Sequence, residues 1–168
     1  MITYSCSIET PLGAMTAAAR NDALIGLWFL GQKYYPLAAG DWRCEPERPI
    51  FQALRHSLSR YFSGEEAADQ PPLAPQGTPF QMTVWRELLK IPYGETTSYG
   101  QIARAIARQA GVESMSAQAV GGAVGHNPIS ILIPCHRVVG SDSRLTGYAG
   151  GVERKEALLR LERVFGYR

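Results

Sequence analysis

The stretch SYGQIARAIARQAGVESMSAQAVGGAVGHNP, residues 98–128, decides how this chain is read. Ser98-Tyr99-Gly100-Gln101 places a hydroxyl three residues ahead of a glutamine. At that spacing the two side chains can reciprocally satisfy the unpaired N–H groups of a helix start. The helix runs on through Ile102 and Ile106, gives way to a polar stretch over residues 108–116, and is followed by a second helix near Ala117–Gly125 that ends at Asn127-Pro128. This second helix is slim, with Ala119, Gly121, Gly122, Ala123 and Gly125. Two helices joined by a turn, the second built of small residues, predict a helix-turn-helix in a winged arrangement. Helical glycine is costly unless close packing or a close approach requires it. Composition favours tight packing inside the protein over approach by an external partner.

Working outward, Thr78-Pro79-Phe80-Gln81 repeats the capping pattern, with proline at the first helical position. It opens a helix through Val84, Trp85, Leu88 and Leu89 that should stop near Pro92-Tyr93-Gly94. Residues 64–77 are polar and proline-rich, the composition of a connection between packed units. The expected division is therefore an N-terminal sheet-plus-helix lobe with linker, 1–77, and a helix-turn-helix lobe, 78–168. In the first lobe, short runs at 2–9, 14–19 and 24–29 are broken by Thr10-Pro11-Leu12-Gly13 and Arg20-Asn21-Asp22, as in an antiparallel meander. Phe51, Leu54, Leu58, Tyr61 and Phe62 then recur at helical spacing and form a stripe to lie on the sheet, leaving His56 on the solvent side.

With 168 residues, 45% of them hydrophobic, the chain can bury a core as one domain or two small lobes. No apolar run approaches the roughly 20 residues a membrane helix needs, and the N-terminus has no basic stretch leading into an apolar core. A cytoplasmic protein with no membrane partner is expected. Cys6, Cys44 and Cys135 stand apart with no paired spacing, which fits a reducing compartment. Residues 1–77 hold 6 Lys/Arg against 8 Asp/Glu, and residues 78–168 hold 11 against 7. Only the second half is electrostatically prepared for phosphates.

An apolar run at 129–133 delivers Pro134-Cys135-His136-Arg137-Val138-Val139-Gly140. A thiol beside an imidazole matters because the thiolate is the reactive form and a base can supply it at neutral pH. Neighbours on an extended strand point to opposite faces, so Cys135 and His136 need a bend or a bridging water to cooperate.

Pro134-Cys135-His136-Arg137-Val138, with Asn127-Pro128-Ile129 before it and Thr146-Gly147-Tyr148-Ala149-Gly150-Gly151 and Arg154-Lys155 after it, closely resembles the O6-alkylguanine-DNA alkyltransferase family. The resemblance covers about residues 78–162; Thr10-Pro11-Leu12-Gly13 and Gly26-Leu27-Trp28-Phe29 extend it more weakly to the first lobe. It implies an α+β chain: a ribonuclease-H-like α/β lobe, then a mostly helical winged helix-turn-helix lobe that binds double-stranded DNA containing alkylated guanine. A monomer with no cofactor and no metal is expected. The implied reaction is irreversible transfer of an alkyl group from O6-alkylguanine, and also O4-alkylthymine, to Cys135, one turnover per molecule. By resemblance His136 is the base acting through water, Glu162 the carboxylate that orients it, and Asn127 the residue that fixes the turn before the cysteine. Tyr148 would donate to the leaving guanine, with Val138, Ala149 and Gly150 lining the pocket. Tyr99 would crowd the 3′ phosphate to turn the nucleotide out of the duplex, and Gln118, Ala119, Gly122 and Arg137 would join it in contacting DNA.

Three positions depart from the family pattern. Gln118 stands where an arginine normally enters the base stack, and an amide neither stacks as a guanidinium does nor attracts phosphates. The segment from Tyr99 to Gln118 is about five residues longer, with Glu113-Ser114-Met115-Ser116 in place of a proline-containing approach; Arg104 and Arg108 are candidates to replace the missing arginine. Asp142-Ser143-Arg144 stands where a glycine often closes the turn. The alternative function is an alkyltransferase-like lesion-binding protein with weak or no transfer because of Gln118. A cysteine hydrolase using Cys135, His136 and Glu162 is a third reading, disfavoured by the DNA-binding scaffold around the thiol.

Overall fold

A computed structural model describes residues 1–66, 69–142, 144–164 and 166. Ser143 of the predicted turn lies outside the described residues. The chain forms two compact units, Met1–Gln76 with Pro128–Leu132, and Gly77–Asn127 with Ile133–Arg168.

The first unit is built on a meander of β1 (Tyr4–Thr10), β2 (Gly13–Arg20) and β3 (Ala23–Phe29), antiparallel throughout. The β2–β3 turn uses Asn21 and Asp22 at φ 49° and 60°. These residue types tolerate left-handed backbone, and two such residues in succession match the twist of a tight hairpin. A two-residue strand that the sequence did not reveal, β4 (Arg43–Cys44), adds parallel to β1 and gives the order β3-β2-β1-β4. Ala17, Ala18 and Ala19 of β2 are all buried, so this strand is covered on both faces and small side chains fit. The helix α1 (Pro49–Phe62) buries Ile50, Phe51, Leu54, Leu58 and Tyr61; Phe62 is half-buried with its ring edge-on to Tyr61, and His56 is exposed. Trp28 stacks on Trp42 at 5.7 Å and meets Tyr35 edge-on. Gly26 is required by this cluster, because a Cβ there would lie 1.8 Å from the Trp28 ring.

Within the run at 129–133, Ile129 makes only an isolated parallel bridge to Leu27, and Pro128–Leu132 groups with the first unit. The reason is hydrogen bonding that local sequence does not encode: Leu27 N–H donates to Pro128 O at 2.8 Å, and Ser130 N–H to Leu27 O at 2.9 Å. Ile131 adopts φ 71°, which costs a β-branched residue on the order of 1–3 kcal/mol and persists only where surrounding contacts dictate it.

The second unit contains α2 (Pro79–Leu88), α3 (Tyr99–Ala110), α4 (Ala117–Gly125) and α5 (Val152–Leu161). Capping boxes form at both expected places, Thr78 with Gln81 and Ser98 with Gln101. Gly111 ends α3 at φ 69°, and the Ser116 hydroxyl caps α4 by accepting from Ala119 N–H at 3.1 Å. The strands β5 (Thr97–Ser98) and β6 (Val138–Val139) pair in parallel, joining the entry of α3 to the segment after the cysteine. Val120, Ala123 and Val124 bury one face of α4, whose backbone is held by a bond from the Trp85 indole N–H to Ala123 O at 2.9 Å.

The opposite face of α4 exposes Gln118, Ala119 and Gly122. A Cβ at Gly122 would meet nothing within 4 Å, and one at Gly121 would make ordinary contact with the Tyr99 ring at 3.7 Å. Internal packing, favoured on composition, therefore does not explain Gly122. Its substitution by alanine is expected to raise stability by about 1 kcal/mol, read in a chemical denaturation curve, because the helical penalty of glycine is removed without a clash.

Candidate active site

Asn127 sits just past α4, where its side-chain amide donates to Ile133 O at 2.8 Å. It thereby ties together the two ends of the Pro128–Leu132 excursion, and its side chain also hydrogen-bonds to Cys135. Cys135 N–H bonds to Ile133 O at 2.8 Å, and Cys135–Arg137 forms a short 3₁₀ turn. This turn is the bend the Cys-His pair needs, since successive side chains on it diverge by about 120° rather than pointing to opposite faces.

His136 is fully buried, and its Nε2 lies 2.5 Å from Glu162 Oε2. Glu162, the residue closing α5, also accepts from Arg137 Nε at 2.7 Å, from Arg137 Nη2 at 3.2 Å and from Gly94 N–H at 3.2 Å. Burial opposes charge on this carboxyl, but the bonds from His136 and Arg137 outweigh it and bring its pKa down to about 2. Burial pushes the His136 pKa below the usual imidazole value even though Glu162 pulls the other way. The pair is thus a carboxylate and a neutral imidazole: Nε2 carries the proton and donates to Glu162, which leaves the Nδ1 lone pair as the basic site. Nδ1 is buried and has no hydrogen-bond partner among the described residues.

Cys135 is 6% exposed. Burial raises its pKa, opposed by hydrogen bonds from Asn127 and Tyr148 and by the charge of Lys155. The resting group is therefore a thiol, poised among donors that favour its anion. Lys155 is itself fully buried, with its ammonium donating to Thr146 Oγ1 at 3.3 Å, Thr146 O at 3.4 Å and Gly147 O at 3.5 Å. Desolvation brings its pKa down to about 8.

The remaining candidates divide. Tyr148 and Ala149 are half-buried, Gly150 is buried with its carbonyl accepting from Arg154 at 3.0 Å, and Val138 is buried in β6. Tyr99 is half-buried at the start of α3, its hydroxyl 2.8 Å from Thr146 Oγ1. Arg104 and Arg108 are exposed on α3. Arg137, expected among the DNA contacts, is turned inward: its side chain is 12% exposed, and it grips Glu162 with two nitrogens and Ile91 O with the third at 2.8 Å. Three of the five guanidinium N–H groups are thus spent inside the protein, on Glu162 and on Ile91 O.

Sequence reasoning assigned no role to Lys155 or Thr146. The signal for the first was present: Lys155, Leu158, Leu159 and Glu162 follow helical spacing, so a lysine occupies the first place of a buried stripe.

The fold and site together define a protein that couples a helix-turn-helix to a buried cysteine backed by an imidazole–carboxylate pair. Residues 3–75 match the model for the 6-O-methylguanine DNA methyltransferase ribonuclease-like domain, and residues 79–164 match that for the DNA binding domain of the same protein. A methylated-DNA–protein-cysteine methyltransferase of Mycobacterium bovis is 45% identical over 163 residues, covering 97% of this chain and 93% of the relative. One from Methanosarcina barkeri is 44% identical, covering 95% and 96%. The crystal structure of Mycobacterium tuberculosis OGT in complex with DNA superimposes with a TM-score of 0.83 at 42% identity, covering 98% of this chain and 96% of that one. The chain belongs to the 6-O-methylguanine DNA methyltransferase family. The lesion-binding alternative built on Gln118 is not supported, since these relatives across both units are named as transferases.

Proposed function

We propose that this chain repairs DNA by direct reversal, taking the alkyl group from O6 of alkylated guanine, and also from O4 of alkylated thymine, onto Cys135 and keeping it. The observation that carries this reading is the buried ion pair of Glu162 with Arg137, which holds neutral His136 in one tautomer beside the cysteine. The Cys135 proton passes to His136 Nδ1 through a bridging water, and Glu162 stabilises the imidazolium that forms. The sulfur then attacks the alkyl carbon as the bond from that carbon to O6 breaks. The departing guanine takes a hydrogen bond from Tyr148, with Val138, Ala149 and Gly150 around the base. The product is a thioether, whose carbon–sulfur bond does not hydrolyse back to the thiol, so each molecule acts once.

The reacting carbon lies inside a duplex, so the nucleotide must leave the stack, at a cost of a few kcal/mol that is lowest for a poorly paired base. The exposed, slim face of α4 with Gln118, Ala119 and Gly122 fits a groove, and Tyr99 meets the backbone phosphate beside the lesion. Gly122→Ala, although more stable, is then expected to bind duplex several-fold more weakly in a fluorescence anisotropy titration, because its Cβ enters the space the DNA backbone uses. Three free thiols fit work in a reducing, cytoplasmic compartment.

The direct test is the intact mass of the protein after incubation with a duplex carrying O6-methylguanine. A gain of one methylene mapped to Cys135, absent in Cys135→Ala, is expected. An unmodified wild-type protein that still binds the lesion would refute transfer.

A further inference from the structure

Thr146 joins two residues that lie far apart in sequence. Its Oγ1 is 2.8 Å from the Tyr99 hydroxyl on one side and 3.3 Å from the Lys155 ammonium on the other. Its backbone carbonyl and that of Gly147 accept from the same ammonium. Lys155 is fully buried while Thr146 and Tyr99 are half-buried, so the arrangement leads from the packed interior towards the surface.

We infer that Thr146, held by Lys155, fixes the direction of the Tyr99 hydroxyl proton so that Tyr99 donates outward to a DNA backbone phosphate. The inference rests on the reading of Tyr99 given above. An ammonium can only donate, so the threonine oxygen must accept from Lys155. A phosphate oxygen can only accept, so Tyr99 must donate to it. Tyr99 has one hydroxyl proton and can spend it on the phosphate only if it accepts from its inner neighbour. Thr146 likewise has one, and it goes to Tyr99. A chain with a pure donor at one end and a pure acceptor at the other has a single consistent direction, and each bond polarises the next. Burial raises the Tyr99 pKa, which keeps the phenol protonated and able to donate. Without the threonine hydroxyl, nothing obliges the phenol to present its proton to the phosphate. Thr146 is thus a positioning residue: it acts on DNA through Tyr99.

The test is duplex affinity, measured by fluorescence anisotropy in a Cys135→Ala background so that transfer does not consume the lesion. Thr146→Val and Tyr99→Phe are each expected to weaken binding about tenfold, the size of a hydrogen bond to a charged group. Thr146→Ser, which keeps the hydroxyl, should stay within about twofold of the parent, and the double variant should be no weaker than Tyr99→Phe alone. If Thr146→Val costs as much in the Tyr99→Phe background as in the parent, or costs nothing while Tyr99→Phe weakens binding, the relay is overturned and the reading of Tyr99 stands. If Thr146→Ser binds as weakly as Thr146→Val, the hydroxyl is not the cause and the relay is overturned. If Tyr99→Phe binds as the parent does, the phosphate contact itself is refuted, and the relay with it.

Discussion

Glu162→Ala is expected to slow alkyl transfer at pH 7 by about 10²- to 10⁴-fold, the usual contribution of a positioned acid–base group. The same change should destabilise the protein by about 3–5 kcal/mol, because it leaves the Arg137 guanidinium buried without its partner. The two effects have one origin. The carboxylate accepts from His136, from Arg137 and from the Gly94 N–H, so it both orients the imidazole and neutralises a buried cation. The rate is read as the growth of the alkylated mass with time, and the stability from denaturant unfolding. A variant that transfers at the wild-type rate would remove Glu162 from the mechanism. The wild-type protein carries a pH signature of the same group. The Glu162 pKa falls from its ordinary 4.5 to about 2 on folding. The unfolded chain therefore binds the proton first, and the stabilisation is complete above about 4.5 and lost progressively as pH falls towards 2. It amounts to about 3 kcal/mol, and Glu162→Ala should flatten that part of the acid unfolding profile.

Lys155→Met is expected to separate stability from activity. Folding brings the lysine pKa from 10.5 down to about 8, so the folded protein holds this proton less tightly than the unfolded chain. The cost of burying the charge is full below about 8 and disappears as pH rises towards 10.5. At pH 7 it is about 3 kcal/mol, offset in part by the bonds to Thr146 and Gly147, and methionine fills similar space without it. The variant should therefore be at least as stable as wild type at pH 7, and only the wild type should gain stability between pH 8 and 10. Transfer should slow about tenfold, because Lys155 is the cation whose charge lowers the cost of the Cys135 anion. Loss of stability together with activity would mean that the lysine is structural.

Much of this protein is legible along the chain because its signals are local. Capping boxes at Thr78 and Ser98, the Asn21-Asp22 turn and the stripe on α1 each depend on residues within a few positions of one another, so helix starts, the hairpin and the helix face are read directly. The cysteine motif is equally local, because the thiol of Cys135 and the imidazole of His136 stand next to each other in the chain. Tertiary structure alone decided what distance along the chain conceals. Pro128–Leu132 leaves its neighbours because Leu27 supplies its hydrogen bonds, and Arg137 turns from solvent to Glu162, 25 residues further on. Spacing puts Lys155 and Glu162 on one stripe of α5, but their partners come from elsewhere: His136 and Arg137 close on Glu162, and Thr146 and Gly147 surround Lys155. In each case a polar group is buried only because a partner from a remote segment meets its hydrogen-bonding demand, and such pairings are set by packing, which no window of sequence contains.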